Sequence, residues 1–113
     1  MYEVILLPAA AEFLEGLSGP PRAKADAFLL LLKVKGPDLH RPHSDVLRGK
    51  IRELRCGFAR LEYRFLYFFH DKKVILTHGF LKKTERVPDG ELRRAERLEH
   101  RYWKAFREKE RPH

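Results

Sequence analysis

The spacing of apolar residues predicts a strand and two helices in the first third of the chain. Residues 2–7 (YEVILL) are a short apolar run that ends at a proline, which is typical of a strand. Residues 9–17 and a segment from Pro20-Pro21 to about Leu32 carry apolar residues at helical spacing. The apolar run 28–32 is wide, so we expect the second helix to pack between the sheet and the first helix. Gly36-Pro37 predicts its end.

The middle of the chain changes to a period of two, which indicates strands. Residues 37–49 are polar and contain prolines, so they are predicted to be a loop. Three apolar and aromatic runs follow at 51–58, 61–69 and 73–81. The breaks between them are short, and short connections require antiparallel pairing.

The last part of the chain has the pattern of one amphipathic helix. It is predicted to start after Pro88, with Asp89 as its N-cap. Its apolar positions share one face at helical spacing and are Leu92, Ala95, Leu98, Tyr102 and Phe106.

The order β-α-α-β-β-β-α predicts an α+β fold in a single domain over residues 1–113. We expect a small twisted antiparallel sheet, made of the N-terminal strand and a three-strand meander, packed on the N-terminal helix pair and accompanied by a C-terminal helix. A chain of 113 residues is long enough for one core and too short for two.

The number of cysteines and the hydropathy of the chain exclude several classes of protein. Cys56 is the single cysteine, which excludes an internal disulfide framework and a cysteine-based metal site. It alternates with Leu54 and is therefore predicted to be a small core residue. No apolar run approaches the length of a transmembrane helix, and the N-terminus lacks the pattern of a secretion signal. We therefore expect a cytoplasmic protein that does not bind membranes.

The charge is positive and unevenly distributed. The chain has 24 Lys and Arg against 16 Asp and Glu, a net charge of +8. Residues 41–86 hold 12 basic and 5 acidic groups, whereas residues 1–40 hold 4 and 5. A localised positive field attracts a polyanion such as nucleic acid. An inert basic surface and a patch for an acidic protein are the alternatives.

Strand alternation places two arginines and a pair of lysines where they could form a cationic pocket. Arg55 shares a face with Glu53, and Arg64 lies in the strand that we expect to be covered on both sides. A buried guanidinium without a partner is costly, so Arg64 should face a partly solvated cleft near Glu53 or Glu62. A simple Arg–Glu ion pair is the alternative. Lys82-Lys83 ends the third run, where it could complete a phosphate-sized pocket or be merely solvated.

The histidines do not have the spacing of a metal site. His78 follows the strand pattern and is predicted to be a core residue. His40 and His43 lie in the polar loop and His70 in a turn, and no pair has the i, i+4 spacing of a zinc-binding helix. Phosphate-binding glycine loops and serine-hydrolase motifs are absent from the sequence.

Three segments resemble a known toxin family. LRGKIRELR (47–55), EYRFLYFF (62–69) and VILTHGFLKKTERVP (74–88) resemble the phage-derived Gp49-like, HigB-type branch of the RelE/ParE toxin superfamily. The resemblance implies a small twisted antiparallel sheet flanked by helices. It also implies the toxin of a type II toxin–antitoxin module, which cleaves mRNA, often on the translating ribosome, without a metal or other cofactor. The partner is then a cognate antitoxin, commonly a helix-turn-helix DNA-binding protein.

The resemblance also assigns roles to individual residues. Arg64 is expected to clamp the scissile phosphate with support from Arg55, because a guanidinium fork matches two phosphate oxygens. Lys82 or Lys83 is expected to be the base or a second electrostatic clamp. The general acid is unassigned, since the histidine that such enzymes use near the C-terminus has only His100 and His113 as counterparts. The residues expected to bind the RNA backbone are Arg48, Lys50, Arg52, Thr84 and Arg86.

Two alternatives stay open at this point. A ParE-like toxin of the same fold would inhibit DNA gyrase by binding, without cutting RNA. A non-catalytic nucleic-acid-binding module would keep the basic pocket but would cleave nothing.

Overall fold

The structure of the protein is a computed structural model that describes residues 1–110. It contains five strands and three helices within this range, together with a short 3-10 turn after the second helix. The strands are β1 (Glu3–Leu6), β2 (Ser44–Arg48), β3 (Ile51–Phe58), β4 (Leu61–His70) and β5 (Lys73–Lys82), and the helices are α1 (Pro8–Glu15), α2 (Gly19–Lys35) and α3 (Asp89–Glu110).

The strands form one mixed sheet in the order β1-β5-β4-β3-β2. The α+β class, the N-terminal helix pair and the C-terminal helix are confirmed, and β3, β4 and β5 form the predicted antiparallel meander. The N-terminal strand differs from the expectation of a wholly antiparallel sheet, because β1 runs parallel to β5. These two strands are far apart in the chain, so no short connection between them imposes an antiparallel direction.

The prediction of a loop over residues 37–49 was wrong at its C-terminal end. Ser44–Arg48 forms β2, an edge strand antiparallel to β3. Its sequence is mostly polar, and Ser44 is its one fully buried residue. The Ser44 hydroxyl forms a hydrogen bond with the buried Tyr67 hydroxyl, which ties the edge strand to the centre of the sheet. An edge strand with one buried position lacks the apolar alternation on which the prediction depended.

The helix pair covers one face of the sheet and α3 covers the other. Leu54, Phe65 and Leu76 pack under α1 and α2, whereas Ile51, Leu66 and Phe68 pack under α3. The run 28–32 was expected to pack between the sheet and the first helix, and this was wrong for Leu30, which is 59% exposed. Gly36 ends α2 with a φ of 52°, and the Tyr2 ring occupies the space that a Cβ there would need.

The helix α3 buries the face predicted from its spacing. Ala95 is fully buried, and Leu92 and Tyr102 are half-buried against the sheet. Asp89 is the first helical residue rather than the cap, and its carboxylate accepts a hydrogen bond from the Arg48 guanidinium at 2.8 Å. Within residues 1–110 no helix is both long and apolar enough to cross a membrane.

Candidate active site

Two arginines lie side by side where β3 and β4 pair. Arg55 and Arg64 are directly opposite each other in the register of the two strands. Like charges in that arrangement repel each other unless an anion separates them. Glu53 is that anion: its Oε1 accepts from Arg55 Nε at 2.9 Å, and its Oε2 accepts from Arg64 Nε at 3.2 Å. Glu53 and Arg64 are buried, whereas the Arg55 side chain is 33% exposed, so the three groups form a charge cluster that is open to solvent on the Arg55 side.

Arg64 keeps part of its guanidinium available to the solvent. Its Nη1 donates to Glu62 Oε2 at 3.0 Å and to the Tyr63 carbonyl at 3.1 Å. Within residues 1–110 its Nη2 forms no hydrogen bond, and no buried side-chain nitrogen there lacks a partner, so Nη2 is accessible. The hydrogen bond from Arg64 also lowers the pKa of the Glu62 carboxyl, which keeps that group ionised.

A bulge in β5 decides which lysine joins these arginines. Leu66 faces His78, but the next residue of β4, Tyr67, faces Leu76, so Thr77 is an extra residue in β5. The extra residue moves the even-numbered positions after it from the helix-pair face to the α3 face. Lys82 therefore lies on the same face as Arg64.

Lys82 is held by the loop that follows it. Its Nζ donates to the Thr84 carbonyl at 3.0 Å and to the Glu85 carbonyl at 2.8 Å. The Thr84 hydroxyl in turn donates to the Arg86 carbonyl at 2.6 Å. These contacts fix Lys82 as a hydrogen-bond donor, which suits an electrostatic role better than that of a proton acceptor.

These groups line one cleft of about 850 Å³ between the sheet, the loop after β5 and the start of α3. Leu47, Val87 and Leu92 supply apolar surface, and the polar lining has equal numbers of cations and carboxylates. The cations are Arg55, Arg64, Lys82 and Arg86, and the carboxylates are Asp45, Glu53, Glu85 and Asp89. The cleft is therefore a mixed-charge site and not a purely cationic pocket.

The structure brings together five of the nine predicted site residues. These are Arg55, Arg64, Lys82, Thr84 and Arg86. Their prediction came from the resemblance to the toxin family, and the pairing of β3 with β4 places Arg55 and Arg64 opposite each other on one face.

Lys83 does not line the cleft. It is exposed and borders a separate depression with Arg60 and Glu62. Adjacent residues of an extended chain point in opposite directions, so only one of two neighbouring lysines can enter the cleft. Of the two alternatives for this pair, Lys82 joins the cleft and Lys83 is solvated.

Three residues expected to bind RNA also lie outside the cleft. Arg48 is paired with Asp89 and with Glu96, at 2.8 and 2.7 Å. Lys50 is exposed in the turn between β2 and β3. Arg52 lies on the opposite face from Arg55, with its guanidinium 5.5 Å from the Phe69 ring centroid.

Most of the acidic residues of the cleft were not predicted from the sequence. Glu53 was considered only as a partner for Arg64, and Asp45, Glu85 and Asp89 were given no place in the site. Asp45 lies in the strand that was predicted as loop, and its pKa is lowered chiefly by the hydrogen bond from Arg41. Asp45 could have been placed in the cleft if β2 had been predicted as a strand beside Glu53 and Arg55.

Buried polar residues outside the cleft have structural partners. His78 is fully buried, as predicted, and its Nε2 lies 3.2 Å from Glu91 Oε1 of α3. Burial lowers the pKa of His78, and the positive charge of Arg94 lowers it further. Cys56 is also buried as predicted, and desolvation raises the pKa of its thiol to about 12, which makes it a poor nucleophile.

The aromatic residues of α3 lie away from the cleft. His70 closes β4, where it is packed between Trp103 and Phe106, and its Nδ1 hydrogen-bonds the Tyr102 hydroxyl at 2.5 Å. Trp103 also packs against Phe68 of the sheet. Neither Tyr102 nor Trp103 lines the cleft, so neither could stack a base there. Within residues 1–110 no group of three or more His, Cys, Asp or Glu side chains could hold a metal ion.

Comparison with known proteins gives both a family and a structural relative. The family described as "Phage derived protein Gp49-like" matches residues 12–99. A copper-bound mutant toxin from Helicobacter pylori has the same fold, with a TM-score of 0.51 and 20% identity over 70% of this chain and 92% of that one. None of the curated proteins matches the chain significantly in sequence. Because the family match spans most of the chain, the protein belongs to the phage-derived Gp49-like family, as its sequence motifs predicted.

Proposed function

We propose that this protein is the toxin of a type II toxin–antitoxin module and acts as a metal-independent mRNA endoribonuclease. Membership of the Gp49-like family and the fold shared with a bacterial toxin support a toxin of a toxin–antitoxin system. The single observation that supports the nuclease activity is the meeting of Arg55, Arg64 and Lys82 at one cleft. Cations from three strands that line one cleft suit the transition state of phosphodiester cleavage, in which negative charge develops.

The proposed reaction is attack of the ribose 2′-hydroxyl on the adjacent phosphorus. The 2′-oxygen loses its proton and bonds to phosphorus, the bond to the 5′-oxygen breaks, and that oxygen leaves as a hydroxyl after protonation. Negative charge develops on the non-bridging oxygens of the phosphorane. The accessible Nη2 of Arg64 would bind one of these oxygens, with Arg55 beside it and Lys82 at the rim.

A carboxylate suits the role of proton acceptor better than Lys82 does, because Lys82 already donates to two carbonyl groups. Glu53 is paired with both arginines, Asp89 with Arg48, and Asp45 with Arg41 and Arg55. Glu85 also lines the cleft, and within residues 1–110 its carboxylate forms no ion pair. We assign the role of general base to Glu85 and that of electrostatic clamps to the cations.

The partners follow from this activity. The substrate would be mRNA, on translating ribosomes in the cytoplasm, and Arg86 and Thr84 would contact its backbone without reading its sequence. The antitoxin would be a helix-turn-helix DNA-binding protein encoded beside the toxin. Translation would stop when the antitoxin is lost.

Replacing Arg64 tests the proposal. We expect Arg64→Gln to lower the rate of RNA cleavage by about a hundredfold, the scale for the loss of one transition-state donor. The matched control is Arg60→Gln, which removes an exposed arginine from the adjacent turn. Primer extension on mRNA after induction measures cleavage, and circular dichroism checks that both variants fold. Cleavage at the wild-type rate by folded Arg64→Gln protein would contradict the proposed role.

One observation favours a second candidate, a non-catalytic nucleic-acid-binding module. Both site arginines are already ion-paired with Glu53, as they would be in a structural cluster. This candidate predicts salt-dependent RNA binding without cleavage and no growth arrest on induction. A supercoiling assay with purified protein separates both candidates from a ParE-like gyrase inhibitor.

A further inference from the structure

The helix α3 carries a row of cations on the side that faces away from the sheet. Ala95, Tyr102 and Trp103 mark the side in contact with the sheet. At 3.6 residues per turn, a second set of residues occupies the opposite side, and all of its members are exposed. We name the basic members of this set the α3 basic stripe, and they are the cations Arg93, Arg97, Arg101, Lys104 and Arg107 with the neighbouring His100. The exposed Glu108 lies on the same side of the helix.

Most of these cations have no partner in the chain. Arg93 is paired with Asp89 at 2.7 Å. Among residues 1–110 the other members form no ion pair, and three carboxylates of α3 are engaged elsewhere. Asp89 and Glu96 bind Arg48, and Glu91 contacts His78. Within residues 1–110 four of the five cations form no ion pair, against the carboxylate of Glu108 on the same side, so the stripe keeps an excess of positive charge.

The position of the stripe connects it to the candidate active site. Asp89 and Leu92 line the cleft, and Arg93 is the next residue of α3. The stripe then extends over the 15 residues from Arg93 to Arg107, a length of about 21 Å for 14 steps of 1.5 Å. The cleft itself has balanced charges, whereas the stripe has an excess of positive charge that can attract a polyanion.

The surface chemistry of the stripe favours RNA over a protein partner. Protein interfaces are centred on apolar and aromatic residues that become buried. The exposed large apolar residues of this protein include Leu30 and Val34 of α2, but none of α3. A row of hydrated cations without an apolar centre matches a chain of phosphates.

We propose that the α3 basic stripe binds the backbone of single-stranded RNA beyond the segment held in the cleft. The site rests on the proposed function in that its ligand is a continuation of the same RNA substrate. Phosphate contacts of this kind increase affinity and orient the RNA but read no sequence. The stripe therefore acts as a binding surface and not as part of the catalytic machinery.

Binding can be measured separately from cleavage. The probe is a fluorescent single-stranded RNA with 2′-O-methyl riboses, which lacks the 2′-hydroxyl needed for cleavage. The test variant is Arg97→Gln/Arg101→Gln/Lys104→Gln. The control is Lys24→Gln/Lys33→Gln/Lys35→Gln, which removes the same charge from α2. Fluorescence anisotropy is recorded between about 50 and 200 mM salt.

We expect the α3 variant to bind the probe at least about tenfold more weakly at low salt. Its plot of log affinity against log salt should be flatter by about 2, because each phosphate contact on a single strand contributes about 0.7 to the slope. The α2 control should change much less. This result would support the stripe even if the protein proved unable to cleave any RNA, since the probe reports binding alone.

Three results would overturn the proposal. The first is a wild-type slope and affinity in the α3 variant. The second is an equal loss in the α2 control, which would show an effect of net charge alone. The third is unchanged RNA binding together with the loss of a co-expressed antitoxin, which would assign the stripe to a protein partner.

Discussion

Glu53 is the residue on which the geometry of the cleft depends. Its two carboxylate oxygens each accept from a different arginine, one on β3 and one on β4. Side-chain ion pairs of this kind fix the orientation of a guanidinium as well as its charge. Glu53 would therefore be a positioning residue, which touches the arginines and not the RNA.

Replacing Glu53 with glutamine distinguishes an effect on the orientation of the arginines from an effect on RNA binding. We expect Glu53→Gln to lower kcat for RNA cleavage by about tenfold, because both arginines lose their ionic anchor. RNA affinity should not weaken, because the cleft loses one negative charge. Single-turnover cleavage and anisotropy measure the two effects.

The matched control is Glu62→Gln. Glu62 also contacts Arg64, at 3.0 Å, but is 53% exposed at its side chain, so its loss should have a smaller effect on kcat. Weaker RNA binding by Glu53→Gln at an unchanged kcat would contradict a positioning role.

At the scale of elements, α3 is joined to the sheet by polar contacts as well as by its apolar face. Arg48 at the end of β2 binds Asp89 and Glu96, and His78 of β5 contacts Glu91. Both contacts lie in the first two turns of α3, beside the cleft. They hold the helix where Asp89 and Leu92 form the cleft wall.

The buried His78 makes the contact between α3 and the sheet sensitive to acid. The pKa of His78 is lowered in the folded protein, chiefly by burial and then by Arg94, although Glu91 opposes the shift. The unfolded chain therefore takes up a proton below about pH 6.5 that the folded protein resists. The free energy of unfolding is therefore highest above that pH, and it decreases as the pH falls.

We expect the melting temperature of the wild-type protein to fall more steeply between pH 7 and 5 than that of His78→Asn. The difference should be on the order of a few degrees. Differential scanning calorimetry at several pH values measures it, and the exposed His40→Gln is the control. Parallel pH profiles for wild-type and His78→Asn would refute the contribution of His78.

At the scale of the molecule, one sheet separates two apolar cores. Phe65 lies on the helix-pair face and Phe68 on the α3 face, and both are fully buried. Two thin cores that share a sheet should unfold together, because neither face is stable when the sheet between them is lost.

We expect Phe65→Ala and Phe68→Ala each to lower the free energy of unfolding by about 3–5 kcal/mol. That is a large part of the free energy of unfolding of a typical domain, which is roughly 5–15 kcal/mol. Leu30→Ala, at an exposed site, should stay within about 0.5 kcal/mol of wild type. Guanidinium unfolding followed by circular dichroism and by Trp103 fluorescence should give coincident transitions, whereas separate transitions would indicate two independent cores.

The sequence by itself determined the elements and the family. The apolar spacing located three helices and four of the five strands, and the motifs around Arg55, Arg64 and Lys82 identified the Gp49-like family. Local periodicity was sufficient for these elements because each one buries enough apolar residues for their spacing to be visible in the sequence. The edge strand β2 buries one residue and was missed for that reason.

Tertiary structure decided which charged groups share the cleft. Simple alternation places residues 74, 76, 78, 80 and 82 on one face, but the extra residue at Thr77 transfers the last three to the other face. Pairing across strands then brings Glu53 between Arg55 and Arg64. The packing of α3 on the sheet places Asp89 in the lining of the cleft. Strand register and helix docking depend on contacts between residues distant in the chain, which no local pattern encodes.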